Sequence, residues 1–194
     1  MMMPPPASAW GSPSLTQAEL QLGFVVRDLD AAIRQWTALL GIGPWIVLDS
    51  FAGYERVHRG QVVDVEMVGA FCYHGDVQFE VISQLNSVPT PYQEFLATGR
   101  EGLQHLGFYT EDYDGATRAM LGAGLAPVYL SGPKGSARMT TYYEEPGTLS
   151  PMLEIIELSP QRHAFNDAIR RRCQSWDGQE LTVRIHSVAD ILGE

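Results

Sequence analysis

The sequence predicts an α+β fold built from two tandem βαβββ modules and a C-terminal helical extension. The first observation is a repeat. The segment "QLGFVVRDLDAAIR" (21–34) matches "HLGFYTEDYDGATR" (105–118) at seven of fourteen positions. The second observation is that similar strand-like segments follow each copy. A unit that occurs only twice does not predict a solenoid, which needs several units, and instead indicates a pseudo-twofold domain.

Each copy of the repeat has the pattern of a strand followed by a helix. In the first copy, Leu22 and Phe24 alternate with smaller or polar residues, which predicts a half-buried strand. Asp28 or Asp30 can cap the following helix, and Gly41 can end it in the left-handed conformation. The second copy repeats this arrangement.

Three strand signals follow each predicted helix, and the last two of each set form a hairpin. In the first copy, the turn of that hairpin is His74-Gly75-Asp76. The predicted strands span residues 44–48, 65–73 and 76–85 in the first copy and residues 127–130, 137–143 and 151–158 in the second.

The domain boundaries follow from these elements. We expect a first module over 17–86, a linker over 87–102 and a second module over 103–158. Residues 1–16 are rich in Pro, Ser and Ala, which predicts a disordered lead-in. The extension covers 159–194 and begins with Ser159-Pro160, a pair typical of a helix N-cap and its first turn.

Composition narrows the class of protein. The chain has 194 residues and a net charge of −10, which argues against a broad nucleic-acid surface. No apolar run is long enough to predict a membrane span, and the N-terminus lacks the pattern of a secretory signal. Two cysteines do not make a disulfide framework, so we expect a cytoplasmic protein.

Polar residues occupy equivalent positions in the two copies. Gln21 and His105 open equivalent strands, and Gly23 or Gly107 lies two residues further on the same strand face. A glycine there leaves room beside the polar group for a ligand.

The last strand of each module carries a carboxylate among apolar residues, at Glu80 in "FEVI" and at Glu154 in "LEII". An ionised Glu in such surroundings costs several kcal/mol unless it is paired or binds a metal. We call Gln21, Glu80, His105 and Glu154 the polar quartet. One imidazole and three oxygen donors suit a divalent ion such as Zn, Ni, Co, Mn or Mg.

Each member of the polar quartet also has an ordinary structural explanation. His105 alone could be a hydrogen-bonded core residue. Either Glu could instead pair with Arg56, Arg59 or Arg138. The occurrence of all four at equivalent positions favours the metal site.

Residues 19–158 resemble the vicinal oxygen chelate superfamily, which includes glyoxalase I, methylmalonyl-CoA epimerase, extradiol dioxygenases and bleomycin-resistance proteins. The segments "FVVRDLDAAIRQWTALLGIGPW" and "EGLQHLGFYTEDYD" look most similar to the glyoxalase and epimerase branch. The resemblance implies a cupped mixed sheet and metal ligation by the polar quartet. It also implies that Glu154 is the first choice for a catalytic base, with Glu80 able to share that task.

The resemblance implies the metal ligands and the base but does not identify the substrate. Val25 stands where glyoxalase I typically has an arginine that contacts glutathione, and "DSFAGYERVHRGQ" differs from the epimerase pattern. Aromatic residues suggest a cup that takes a small apolar or aromatic carbonyl compound; these are Trp45, Phe51, Tyr54, Tyr142 and Tyr143.

The sequence therefore predicts a metal-dependent isomerase, epimerase or lyase that removes a proton next to a metal-bound carbonyl. The alternatives are a metal-free binding protein that sequesters a small molecule and an iron-dependent dioxygenase. Gln21 ranks the dioxygenase last, because those enzymes use two His and one Glu. We also expect a homodimer, with the tail helix available to cover its interface.

Overall fold

A computed structural model describes residues 15, 18–49, 51, 53–136, 140–145 and 151–193. The strands are β1 (Glu19–Val25), β2 (Trp45–Leu48), β3 (Tyr54–His58), β4 (Gln61–Val62), β5 (Met67–His74), β6 (Val77–Gln84), β7 (Gly102–Thr110), β8 (Ala126–Pro133), β9 (Thr140–Glu144), β10 (Met152–Glu157) and β11 (Thr182–Ile185). The helices are α1 (Leu29–Leu40), α2 (Pro91–Ala97), α3 (Tyr113–Gly122), α4 (Pro160–Gln174) and α5 (Val188–Leu192).

The strands form one mixed sheet in the order β11-β2-β5-β6-β1-β7-β10-β9-β8-β3-β4. Its centre is symmetric. Strands β1 and β7 pair antiparallel, β6 lies parallel to β1, and β10 lies parallel to β7. Four strands of the first module (β2-β5-β6-β1) therefore mirror four of the second (β7-β10-β9-β8). This confirms the predicted α+β fold with two βαβββ modules.

Helices α1 and α3 pack on one face of the sheet, which we call the outer face. Both helices begin after an aspartate predicted from the sequence as a possible cap, or after its repeat equivalent. Asp28 Oδ1 accepts from the Ala31 amide, Asp112 Oδ1 accepts from the Gly115 amide, and Gly41 ends α1 with φ of 66°. The outer face of the first module buries Phe24 and Phe79 against α1.

The opposite, inner face carries the polar quartet and is covered at its two ends by helices. Helix α4 packs Phe165 and Ile169 against Phe71 and Tyr73 of β5. The apolar face of α4 is thus buried against its own sheet. Cys72 Sγ and Cys173 Sγ lie 3.5 Å apart, both as free thiols.

The predicted linker, 87–102, contains helix α2. Thr90 caps this helix through a hydrogen bond from the Gln93 amide, and Pro91 follows at its first position. Tyr92 and Leu96 are buried against the inner face. The Thr-Pro pair is a helix-start signal that was available in the sequence.

Strands β3 and β4 form a hairpin in a segment without a predicted strand. The hairpin extends the second module, because β3 pairs antiparallel with β8. Only residues 49–53 connect β2, near one end of the strand order, with β3, near the other. Those residues span at most about 20 Å, so the sheet curls until its two ends approach each other over the inner face.

The remaining predictions concern the termini and one turn. Strand β11 pairs parallel with β2, so the extension predicted as helical over 159–194 also contributes a strand to the sheet. Apart from Leu15, the predicted disordered lead-in (1–16) lies outside the described residues. So do 137–139 of one predicted strand and the turn at 146–150.

Candidate active site

The register of the central strands brings the polar quartet together. On the antiparallel β1–β7 pair, Gln21 stands opposite Gly107 and Gly23 opposite His105. The parallel neighbours then place Glu80 beside Gly23 and Glu154 beside Gly107. Gln21 and Glu154 therefore flank Gly107, and His105 and Glu80 flank Gly23.

Three members of the polar quartet form a compact buried cluster. His105 Nε2 lies 3.3 Å from Glu80 Oε2 and 3.2 Å from Glu154 Oε2. The three potential ligand atoms all lie within 4.8 Å of one another. His105 is completely buried, and both carboxylates are more than nine-tenths buried.

The imidazole of His105 is held in one orientation. Its Nδ1–H donates to Gln104 Oε1 at 2.7 Å, because an amide oxygen can only accept. When the ring is neutral, its Nε2 lone pair consequently faces the two carboxylates. A β-carbon on Gly23 would lie 1.9 Å from His105 Cε1 and Nε2, so the ring occupies space that only glycine leaves open.

Gln21 is oriented by its amide nitrogen. Nε2 donates to Gln78 Oε1 at 2.8 Å and to Tyr109 Oη at 2.9 Å. Its Oε1 is buried and has no hydrogen-bond partner among the described residues. A β-carbon on Gly107 would lie 2.6 Å from this oxygen and 3.0 Å from Glu154 Oε2, so the two oxygens face the same space.

Burial and mutual charge shift the protonation of the cluster. Burial raises the pKa of Glu80, and the neighbouring Glu154 raises it further, against the lowering effect of His105. Burial lowers the pKa of His105, but Glu154 and Glu80 outweigh that effect and raise it to about 9. Without a metal, a proton on Nε2 offsets one of the two negative charges that the carboxylates carry when both are ionised.

These observations fit a divalent cation. Gln21 Oε1 is a buried oxygen without a hydrogen-bond donor among the described residues, and Glu154 Oε2 is a buried oxygen that lies 3.2 Å from His105 Nε2. A buried polar atom without a partner costs free energy, and a cation between these oxygens and His105 Nε2 would remove that cost. The donor set of one nitrogen and three oxygens is also chemically suited to such an ion.

Among the described residues, neither Glu80 nor Glu154 pairs with Arg56 or Arg59, arginines named in the structural alternative. Arg59 forms ion pairs with Glu94 and Glu144, away from the cluster. Arg56 has no ion pair with Glu80 or Glu154, and Arg138 lies outside the described residues.

Two adjoining cavities lie over the cluster. The inner cavity, of about 60 Å³, is lined by Gln21, Glu80 and Glu154. The outer cavity, of about 200 Å³, shares Tyr54, Ser131 and Arg162 with the inner one.

Of the aromatic residues expected around the cup, Phe51, Tyr54 and Tyr142 line the inner cavity. Trp45 and Tyr143 pack instead on the outer face.

Sequence reasoning missed several residues of the site. Gln78 and Gln104 orient members of the polar quartet, and both are adjacent in the sequence or sheet to the residues that they hold. Arg56 and Arg162 line the inner cavity from elements outside the repeat. Only the alternation in "YERVH", which places Tyr54, Arg56 and His58 on one strand face, could have indicated Arg56.

The chain is thus a protein of two paired βαβββ modules, with a buried Glu-His-Glu cluster between them that could hold a metal ion. Within that class, residues 20–143 match the family model described as the Glyoxalase/Bleomycin resistance protein/Dioxygenase superfamily. The chain belongs to this superfamily, as the resemblance predicted.

Solved structures share the fold. The methylmalonyl-CoA epimerase from Mycobacterium tuberculosis is 19% identical, with a TM-score of 0.54 over 82% of this chain and 99% of that chain. An epimerase variant from Streptomyces coelicolor, in complex with 2-nitronate-propionyl-CoA, is 17% identical, with a TM-score of 0.52 over 76% of this chain and 97% of that chain. A hypothetical protein from Bacillus halodurans is 15% identical, with a TM-score of 0.54 over 74% and 96%. A comparison with curated protein sequences found no significant match.

Among the described residues, no helix has the length and apolar character required to cross a membrane.

Proposed function

We propose that this protein is a metal-dependent isomerase, epimerase or lyase that removes a proton from the carbon next to a substrate carbonyl. The observation that supports this proposal most directly is the buried Glu80-His105-Glu154 cluster, with an unpartnered oxygen on Gln21 facing the same space. A divalent ion held by the polar quartet would supply Lewis-acid polarisation of the carbonyl. The epimerase neighbours are consistent with this class of reaction.

Glu154 is the proposed base. Its carboxylate lines the inner cavity, where it can accept a proton from a substrate carbon. Glu80 lies 3.3 Å from the same His105 Nε2, and we propose that it shares the proton transfer by returning a proton to the opposite face of the substrate carbon, which an epimerase requires.

Three tyrosine rings pack beside the cluster and reduce its contact with bulk water. Tyr92, Tyr129 and Tyr142 pack edge to face beside His105, and the His105 and Tyr142 ring centroids lie 4.9 Å apart. Burial raises the pKa of Tyr142 well above its usual value, so this phenol stays neutral. A low-polarity wall strengthens every electrostatic interaction at the site.

Metal binding is the first test. Calorimetric titration with Zn, Ni, Co, Mn and Mg should show binding by the wild type. The substitution His105→Ala or Glu80→Ala should weaken that binding more than Gln21→Ala, because each removes a stronger donor or a charge. His163→Ala, at an exposed histidine on α4, is the matched control and should bind as the wild type does.

Proton removal is the second test. Deuterium uptake from D₂O next to the carbonyl should be measured on methylmalonyl-CoA, which a structural neighbour binds, and on small carbonyl compounds. We expect Glu154→Gln to retain metal and lose exchange. Exchange at the wild-type rate would exclude Glu154 as the base. A wild type that binds no divalent ion would favour the metal-free binding protein. The expected homodimer stays a prediction.

A further inference from the structure

The inner cavity contains a buried arginine that the proposed reaction does not use. Arg56 is 5% exposed, and its Nε and Nη2 have no hydrogen-bond partner among the described residues. A buried cation without a partner is costly, and its usual partner is a carboxylate or a phosphate. Arg56 lines the same cavity as Glu80 and Glu154.

The position of Arg56 is fixed by its strand. Strand β3 pairs with β8, where Arg56 stands opposite Ser131. The guanidinium carbon lies 5.6 Å from the centroid of Phe51 and 5.8 Å from that of Tyr54. These rings support the guanidinium by cation–π contact and leave its donors available to a ligand in the cavity.

A second arginine faces the cavity from a different element. Arg162, in the first turn of α4, lines both the inner and the outer cavity. Within the described residues, its side chain makes no ion pair or hydrogen bond, although its backbone amide donates to Ser159 Oγ. Glu157 also lines the outer cavity, but this carboxylate already has an interaction partner and is therefore not assigned to Arg162.

The charges of the site indicate that the partner of the two arginines is an anion. A divalent ion in the polar quartet would balance Glu80 and Glu154. The two arginines would then leave an excess of positive charge in a largely buried cavity. Two positive groups on separate elements, both open to one cavity, are suited to a single oxyanion.

We propose that Arg56 and Arg162 bind an oxyanion, either a carboxylate or a phosphate, on the substrate of the proposed reaction. This inference rests on the proposed function for its chemistry. The substrate is then an anionic carbonyl compound rather than the neutral apolar one that the aromatic residues suggested. The inner cavity has room for only a few non-hydrogen atoms, so the remainder of the substrate extends past Arg162 into the outer cavity.

Paired probes test the oxyanion site by calorimetry. Acetoacetate has a free carboxylate, which is a neutral methyl ester in methyl acetoacetate. Dihydroxyacetone phosphate has a phosphate, which dihydroxyacetone lacks. The wild type should bind at least one anion about tenfold or more tightly than its neutral partner. Preference in one pair identifies carboxylate or phosphate as the recognised group. Equal binding within both pairs, or no binding of either anion, would overturn the proposal.

Variants assign the effect to the two arginines. Arg56→Gln should abolish the preference for the anion. Arg162→Gln should reduce it, and this second variant keeps the test decisive if Arg56→Gln does not fold. Arg59→Gln is the matched control on the same hairpin segment, because Arg59 is exposed and paired with Glu94 and Glu144. Undiminished preference in both Arg56→Gln and Arg162→Gln would refute the assignment.

The same measurements on metal-free protein separate this proposal from the proposed function. An Arg56-dependent preference without metal binding or proton exchange would support the oxyanion site and reject the metal-dependent reaction. Metal binding and proton exchange without any Arg56-dependent preference would support the metal-dependent reaction and reject the oxyanion site.

Discussion

At the scale of single residues, two glycines determine whether the polar quartet can assemble. Gly23 leaves the space that the His105 ring fills, and Gly107 leaves the space that Gln21 Oε1 and Glu154 Oε2 face. Neither glycine has the positive φ that marks a turn. Both are therefore required for their lack of a side chain rather than for their backbone conformation.

The substitution Gly23→Ala should displace the imidazole, because the added carbon would lie 1.9 Å from His105 Cε1 and Nε2. We expect a loss of about 1–3 kcal/mol in the free energy of unfolding, as for other overpacked sites. We also expect weaker metal binding. Urea unfolding and metal titration measure the two effects.

Gly122→Ala is the control for that experiment. An added carbon there meets no atom within 4 Å, and Gly122 belongs to helix α3. We expect unchanged or slightly higher stability, because alanine favours a helix more than glycine does. Wild-type metal affinity in Gly23→Ala would mean that the observed ring position is not needed for binding.

At the scale of elements, the β3–β4 hairpin is joined to α2 by charge. Arg59 Nη2 lies 3.0 Å from Glu94 Oε2, and His58 Nε2 lies 3.1 Å from Glu94 Oε1. The hydrogen bond from Arg59 lowers the pKa of Glu94, against the effect of burial. The folded form consequently favours the ionised carboxylate.

The substitution Glu94→Gln should lower stability at pH 7 by less than about 1 kcal/mol, because the pair is partly exposed and screened by solvent. The pKa of Glu94 is lower in the folded form than in the unfolded chain. The stabilisation is therefore complete above the unfolded value of about 4.3 and is lost as pH falls through the folded one.

Urea unfolding at pH 7, 5, 4 and 3 measures this dependence. The difference between wild type and Glu94→Gln should shrink toward pH 3. Glu55→Gln, on the same hairpin, has no ion pair among the described residues and should change stability by less than about 0.5 kcal/mol at each pH. A Glu94→Gln effect that grows toward pH 3 would contradict the assignment.

Most strands with a regular apolar face could be predicted from the sequence, whereas helix α2 was predicted as part of a linker and β3, which buries polar residues, was not predicted. Strands β1, β5, β6 and β10 carry regular apolar positions and were predicted with small boundary errors. Strand β3 buries Arg56 and His58, so its alternation did not resemble that of a core strand. The polar quartet was predicted from the repeat, whereas Arg56 and Arg162 come from segments that the repeat does not contain.

At the scale of the whole molecule, the C-terminal extension completes both the core and the site. Helix α4 buries Phe165 and Ile169 on the inner face and presents Arg162 to the cavities. Strand β11 extends the first module beyond β2. The extension is therefore part of the folded unit rather than an appendage to it.

The substitution Ile169→Ala should destabilise the protein by about 2–5 kcal/mol, because Ile169 is fully buried in this contact. Arg171→Ala, at an exposed position of the same helix, should change stability by less than about 0.5 kcal/mol. Thermal unfolding measures both. Equal melting temperatures for the two variants would mean that α4 contributes little to the core.

The antiparallel seam between β1 and β7 has a consequence for how the site could have diversified. Two separate copies of a one-module ancestor would present the same first-strand donor twice. Once duplication and fusion place both copies on one chain, a substitution in one leaves the other unchanged. Gln21 and His105 differ at equivalent positions of the two modules, while a glycine lies opposite each of them. A fused duplicate can therefore change one donor at a time.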